Sequence, residues 1–249
     1  MISLKDKTVI ITGASSGIGE AAAIEFAKKG TKVVMAARRI EKLDKIKEYI
    51  ADIGGDCIAV QTDVANENSV KSLFDKAEEA YGQVDIVINN AGRGLKSKVC
   101  DIDYNEWAAT MDANVTGVFL CTKEAINRMK AKNTRGHIIT VCSIAGLFST
   151  PGYAGYCASK HAVTSFQRAL WLEMLGSKIK ISTIYPGRID TEFFDIYEKR
   201  PHRKQMLSPQ DIAVYLAAIA SRSLIKKYFY KTLNVFKRIY YFVRYSVGK

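Results

Sequence analysis

TVIITGASSGIGEAAAIEFAKKGTKVVMAARR, residues 8–39, decides the architecture. Thr8–Ile11 and Lys32–Ala36 are short runs rich in Val and Ile, and the alanine-rich stretch at 18–29 between them reads as a helix. Strand, glycine turn, helix and second strand make a β-α-β unit. Gly13, Gly17 and Gly19 allow a tight turn and a close backbone approach. The helix that follows opens with free N–H groups and a positive dipole end, which suits a pyrophosphate. A glycine triad alone is common in loops; a strand before it and a helix after it supply the context for dinucleotide binding.

The alternation continues along the chain. Cys57–Gln61, Val84–Ile88, His137–Val141 and Lys180–Ile184 are four further strand-like runs, with helical patterns at 40–52, 67–81, 105–131 and 154–175. The runs are nearly continuous in hydrophobicity, as parallel strands covered on both faces should be. The expectation is a single Rossmann-like, doubly wound parallel sheet of order 3-2-1-4-5-6, with ligands at the carboxyl ends of the strands. At 249 residues and 48% hydrophobic content the chain suits one such domain, placed at 1–224, followed by a tail at 225–249.

Tyr156 and Lys160 lie four residues apart and so share one helix face, thirteen residues beyond Ser143. A free tyrosine ionises near pH ~10, but a neighbouring ammonium favours the phenolate. A tyrosine tuned in this way can pass a proton to a carbonyl oxygen as hydride reaches the carbon, or take it back. Singly, each residue has an ordinary reading: a chance surface pair, a strand terminator, and for Asn114 a helix cap. Their combination behind a dinucleotide turn points to catalysis.

The spacing T-G-x-x-x-G-x-G at Thr12–Gly19 resembles that of the short-chain dehydrogenase/reductase family, and five further motifs match in order. They are NNAG at Asn89–Gly92, Asn114 in NVTG, Ser143, the Y-x-x-x-K of Tyr156 and Lys160, and Pro186–Gly187. The resemblance implies a cofactor cradle of Gly13, Ser15, Ser16, Gly17, Ile18 and Gly19, with Asp63 and Val64 bracketing adenine and Asn90, Ala91 and Gly92 lining the ribose. It implies that Lys160 bonds the nicotinamide ribose, that Ser143 holds the substrate oxygen, and that Asn114 keeps a relay water in an irregular helix. Pro186, Gly187, Ile189 and Thr191 would meet the carboxamide and phosphate, and Glu192–Leu207 would form a substrate lid whose aromatic residues either wall an apolar pocket or pack on the core.

At the end of the second strand, Ala37 stands where NAD-using relatives carry an acid, and Arg38 and Arg39 follow. The resemblance therefore implies NADP(H), with Arg38 as the main 2′-phosphate contact and Arg39 assisting. Ser16 occupies a position that is basic in many NADP-using relatives, so either affinity is lower or Ser15 supplies a hydrogen bond instead. The function implied is reduction of a ketone or aldehyde, reversible as alcohol oxidation, on a lipophilic substrate. A dinucleotide-binding regulatory or scaffold protein is the alternative.

The formal charge is +12; eight Lys and Arg residues beyond Asp211 account for +8 and residues 1–211 for +4. As a helix, the tail places Phe229, Leu233, Phe236, Tyr240, Val243 and Val247 on one stripe. That stripe suits either peripheral contact with a membrane surface or packing on its own domain or a dimer mate. Lys237 and Arg238 argue against a span, and no recognition motif for nucleic acid accompanies the charge. The start, MISLKDKTVIITG, has no apolar leader, so a cytoplasmic location is expected. Five cysteines without a CxxC pair suggest reduced thiols and no metal site. Val163, Phe166 and Leu170 form an apolar face on the helix of Tyr156, and the resemblance implies that this helix and the one at 105–131 pair across the axis of a homodimer.

Overall fold

The computed structural model describes residues 3–192 and 206–221. Six strands, β1 (Thr8–Thr12), β2 (Lys32–Ala37), β3 (Asp56–Gln61), β4 (Ile86–Asn89), β5 (His137–Val141) and β6 (Lys180–Ile184), form one sheet of order β3-β2-β1-β4-β5-β6. Every pairing is parallel. The expected sheet order is the observed one.

The two faces of the sheet are two cores. Val9 and Ile11 of β1 join α1 (Gly17–Lys28), α2 (Ile40–Asp52) and α7 (Pro209–Ala220) on one side. Ile10, between them, faces α3 (Glu67–Tyr81), α5 (Gly117–Ala131) and α6 (Ala154–Glu173) on the other. Strand side chains alternate between faces, so a run apolar at every position needs cover on both sides, and the helices provide it. Phe26 and Phe74, fully buried one on each face, contribute about 2–3 kcal/mol each.

Three differences from the sequence reading bear on the site. β4 begins at Ile86 rather than Val84 and runs on to Asn89. The Asp85 carboxylate accepts from the Thr8 N–H at 3.0 Å and from Lys7 Nζ at 2.8 Å, which anchors the strand's start, and the ladder with β1 begins at Ile86. The single helix expected at 105–131 is α4 (Tyr104–Met111), a π-helical turn at Asp112–Thr116, and α5. Such a turn carries one extra residue and frees backbone groups, a device found at functional positions. Finally, α7 had no counterpart in the reading, although its start is marked: Ser208 and Asp211 form a capping box around Pro209.

The apolar face assigned to a dimer is part of this chain's own core. Val163 packs with Val118, Cys142 and Tyr185, and Leu170 joins the cluster below the sheet. Phe166 is partly buried and meets Phe119 of α5 edge-on, with centroids 6.3 Å apart. All five cysteines are free thiols. Among the described residues no helix is long and apolar enough to cross a membrane. The expected lid, except for Glu192, Met206 and Leu207, and the whole basic tail lie outside the described residues.

Candidate dinucleotide and reaction site

Gly13 (φ +66°) and Gly17 (φ +59°) adopt backbone conformations that L side chains rarely take. At Gly19 the constraint is space: a Cβ there would lie 2.2 Å from the Gly13 carbonyl oxygen. The turn is buttressed from β4. Asn90 Nδ2 donates to the carbonyl oxygens of Thr12 at 3.0 Å and Gly13 at 3.3 Å. Thr12 Oγ1 accepts from the N–H groups of Asn90 and Ala91, both at 3.0 Å. The side chain of Asn90 is thus a brace for the turn, and Thr12, which the sequence reading passed over, is the hub. Ser16 is the N-cap of α1 but makes no side-chain cap bond, which leaves the first N–H groups of the helix open to an anion.

The β6 loop closes on the same turn. Thr191 lies so close that a Cβ on Gly17 would stand 2.9 Å from its Cγ2. Ile189 is buried and bridged to Leu207, while the Pro186 carbonyl accepts from the Ile144 N–H at 3.0 Å, tying the loop of Pro186 and Gly187 to that of Ser143. Val64, after β3, sits against Gly117, where a Cβ would be 2.7 Å from its Cγ2. Asp63 closes a local turn, its carboxylate accepting from the Ala65 N–H at 3.0 Å.

At the end of β2 the two arginines differ. Arg38 is exposed, and its carbonyl accepts from Gln61 Nε2 at 3.1 Å. Arg39 reaches into the turn, donating to Ser15 Oγ at 3.0 Å and to Ser16 Oγ at 2.8 Å, and its Nη1 meets Glu192 at 3.1 Å. Lys42 Nζ donates to the other Glu192 oxygen at 2.7 Å. Hydrogen bonds from Lys42 and then Arg39 hold the Glu192 carboxyl down to about 2.

The reacting group lies on α6 and the loops facing it. Lys160 is 5% exposed, its Nζ is 5.8 Å from the centroid of the Tyr156 ring, and burial pushes its ammonium below the ordinary lysine range. Gly92 admits this crowding: a Cβ there would be 2.9 Å from Asn114 Oδ1 and 3.6 Å from Lys160 Nζ. Asn114, fully buried in the π turn, donates to the Arg93 carbonyl at 2.9 Å and to Ser159 Oγ at 3.0 Å, and accepts from the Arg93 N–H at 2.8 Å. Both donor positions of its amide are occupied by protein. The side chain is a strut between the β4 loop and α6 rather than a helix cap. Ser159, whose hydroxyl also donates to the Tyr156 carbonyl at 2.7 Å, is a second residue the sequence reading missed. Ser143 lies just beyond β5, as the N-cap of the short helical turn at Ile144–Gly146, and its Oγ accepts from the Ala145 N–H at 3.1 Å, which leaves its own proton to donate.

His137 meets Ser182 at 2.9 Å and His161 meets the Cys157 carbonyl at 2.9 Å. Taken together, the arrangement offers an anion-binding helix end, a phenol near a buried cation, and a hydroxyl donor at a strand end.

Known proteins carry the same framework. The family described as short chain dehydrogenase matches residues 7–201. An uncharacterized oxidoreductase of Listeria innocua is 42% identical over 196 residues, 78% of this chain and 79% of its own. The crystal structure of a short chain dehydrogenase/reductase from Burkholderia phymatum in complex with NAD is 32% identical, with a TM-score of 0.82 over 89% of this chain and 88% of that one. An alcohol dehydrogenase from the archaeon Thermococcus sibiricus, complexed with 5-hydroxy-NADP, is 28% identical, with a TM-score of 0.79 over 86% and 89%. With the family's model matching residues 7–201 and a relative 42% identical over most of both chains, the chain belongs to the short-chain dehydrogenase family of oxidoreductases.

Proposed function

We propose that this chain is an NADP(H)-dependent reductase of a ketone or aldehyde, reversible as an alcohol dehydrogenase. The observation that carries the reading is the buried Lys160 ammonium beside the Tyr156 ring, with no carboxylate within ion-pair distance of it among the described residues. A buried cation is costly to keep without a counter-charge, and such costs concentrate at functional sites. A forming phenolate is the counter-charge this geometry favours.

The residues present fit a dinucleotide. The turn has no room for a Cβ at Gly13, Gly17 or Gly19, the α1 N-terminus is uncapped by a side chain, and Arg39 stands beside it. Relatives of the same fold bind NAD in one case and 5-hydroxy-NADP in another, which supports a nicotinamide dinucleotide. Its bound reduced form supplies hydride to the carbonyl carbon. Tyr156 then delivers its hydroxyl proton to the carbonyl oxygen, Ser143 donates a hydrogen bond to that oxygen, and Lys160 favours the phenolate left behind. Asn114 and Ser159 hold the β4 loop and α6 at fixed separation. Phe193, Phe194 and Tyr197 in the sequence that follows Glu192 favour a lipophilic substrate. Exposed Phe119 on α5, edge-on to Phe166, favours a homodimer through the α5 and α6 surface; light scattering that reads one chain's mass removes that assignment.

The test is steady-state reduction of a panel of apolar ketones and aldehydes with each cofactor. The specificity constant with NADPH should exceed that with NADH by at least ~10-fold, worth about 1.4 kcal/mol. An equal or reversed ratio defeats the NADP assignment. No turnover across the panel, despite tight NADPH binding, favours a scaffold instead.

A further inference from the structure

Two cations at the start of α2 converge on one carboxylate. Arg39 is the N-cap residue of that helix and Lys42 stands in its first turn, where the macrodipole disfavours positive charge unless an anion is near. The anion is Glu192, brought from 150 or more residues along the chain, with one oxygen 3.1 Å from Arg39 Nη1 and the other 2.7 Å from Lys42 Nζ. A carboxylate bridging two cations through separate oxygens occupies the seat that two oxygens of a phosphate monoester would take.

The seat is fixed in place. Ser15 and Ser16 hold the other edge of the Arg39 guanidinium at 3.0 and 2.8 Å, so its fork is set before any ligand arrives. Glu192 directly follows Thr191, which packs on Gly17, so the cluster borders the phosphate turn. Glu20, in the first turn of α1, faces it as well: burial and then Glu192 raise its carboxyl, while Lys42 lowers it.

We propose that Lys42 is a specificity-determining residue for the cofactor's 2′-phosphate, which it shares with Arg39, and that Glu192 is the resident anion which the phosphate displaces. The inference rests on the NADP(H) reading above. A 2′-phosphate brings up to two negative charges and outcompetes one carboxylate for the two cations. The neutral 2′-hydroxyl of NAD(H) has no such advantage and leaves Glu192 in place. Glu192 therefore holds the preference for NADP(H) below what Arg39 and Lys42 would give alone, and Glu20 opposes the phosphate in the same sense.

Calorimetric titration with adenosine 2′,5′-bisphosphate and with 5′-AMP separates the 2′-phosphate from the rest of the cofactor and needs no turnover. Lys42→Met should weaken the bisphosphate by ~5- to 10-fold, and Glu192→Gln should tighten it by ~5-fold, with 5′-AMP moving less than ~2-fold in both. Equal effects of either variant on the two nucleotides, or no effect of either variant on the bisphosphate, overturn the inference. If the wild-type chain prefers the bisphosphate while the variants behave this way, the NADP(H) reading survives without it. If the wild-type chain binds 5′-AMP as tightly as the bisphosphate, that reading fails and the inference with it.

Discussion

Tyr156→Phe is expected to lower kcat by about 10³-fold, within the range that a positioned general acid contributes, while the dissociation constant for NADPH changes less than ~3-fold. The variant removes one oxygen and keeps the ring, so the 5.8 Å contact between Lys160 Nζ and the ring face remains. The proposed dinucleotide contacts come mainly from the turn at Gly13–Gly19 and the loop ending in Thr191, and the Gly17–Thr191 approach is not touched by the change. A fall in kcat without a matching loss of binding is the signature of an interaction made in the transition state. Turnover within ~10-fold of wild type would remove Tyr156 as the proton donor.

Lys160→Met should have two opposite effects: turnover falls by at least ~100-fold, and the thermal midpoint rises by roughly 3 °C at neutral pH. Lys160 is almost wholly buried, and burial lowers its proton affinity in the folded chain. The unfolded chain, with an ordinary lysine pKa of ~10.4, then binds more protons than the folded one between the two values, so stability rises with pH through that window. The penalty is full below the folded value and vanishes above the unfolded one. Methionine has a similar length and no charge, so its advantage over lysine should shrink as pH approaches ~10. Calorimetric scans of both proteins across pH provide the check. A lower midpoint for the variant at neutral pH would mean that the ammonium is satisfied in the fold, and the strained-cation account would fail.

Much of this was legible in the chain because two kinds of signal agree. Continuous Val and Ile runs, each followed by a helical pattern, prescribe parallel strands covered on both faces, and Val9, Ile10 and Ile11 take up the alternate sides as required. The glycine turn was legible because steric exclusion leaves no substitute at Gly19. What escaped depends on contacts distant in sequence. Thr12 is a β1 residue until the loop after β4 hangs from its hydroxyl. Ser159 looks like a helix filler until Asn114, 45 residues away, donates to it. The π turn has no compositional mark, since one extra residue in a helical repeat leaves the apolar pattern nearly unchanged. At Val163 and Leu170 periodicity identifies a stripe but not what covers it; β6 and the α5 side cover it here. The start of α7 was a missed local signal, Ser208-Pro209-x-Asp211, that a capping rule reads directly.

In the proposed reaction, hydride leaves a cofactor seated at the glycine turn and its proton partner comes from Tyr156. A single-turnover experiment with NADPH carrying deuterium at the transferable nicotinamide position, and a ketone reduced by the wild-type protein, tests both halves at once. The account predicts an alcohol labelled on its carbinol carbon from the wild-type chain, and from Tyr156→Phe a cofactor that stays bound and keeps its label over the same interval. Unlabelled alcohol, or label transfer at an undiminished rate without the phenol, would contradict it.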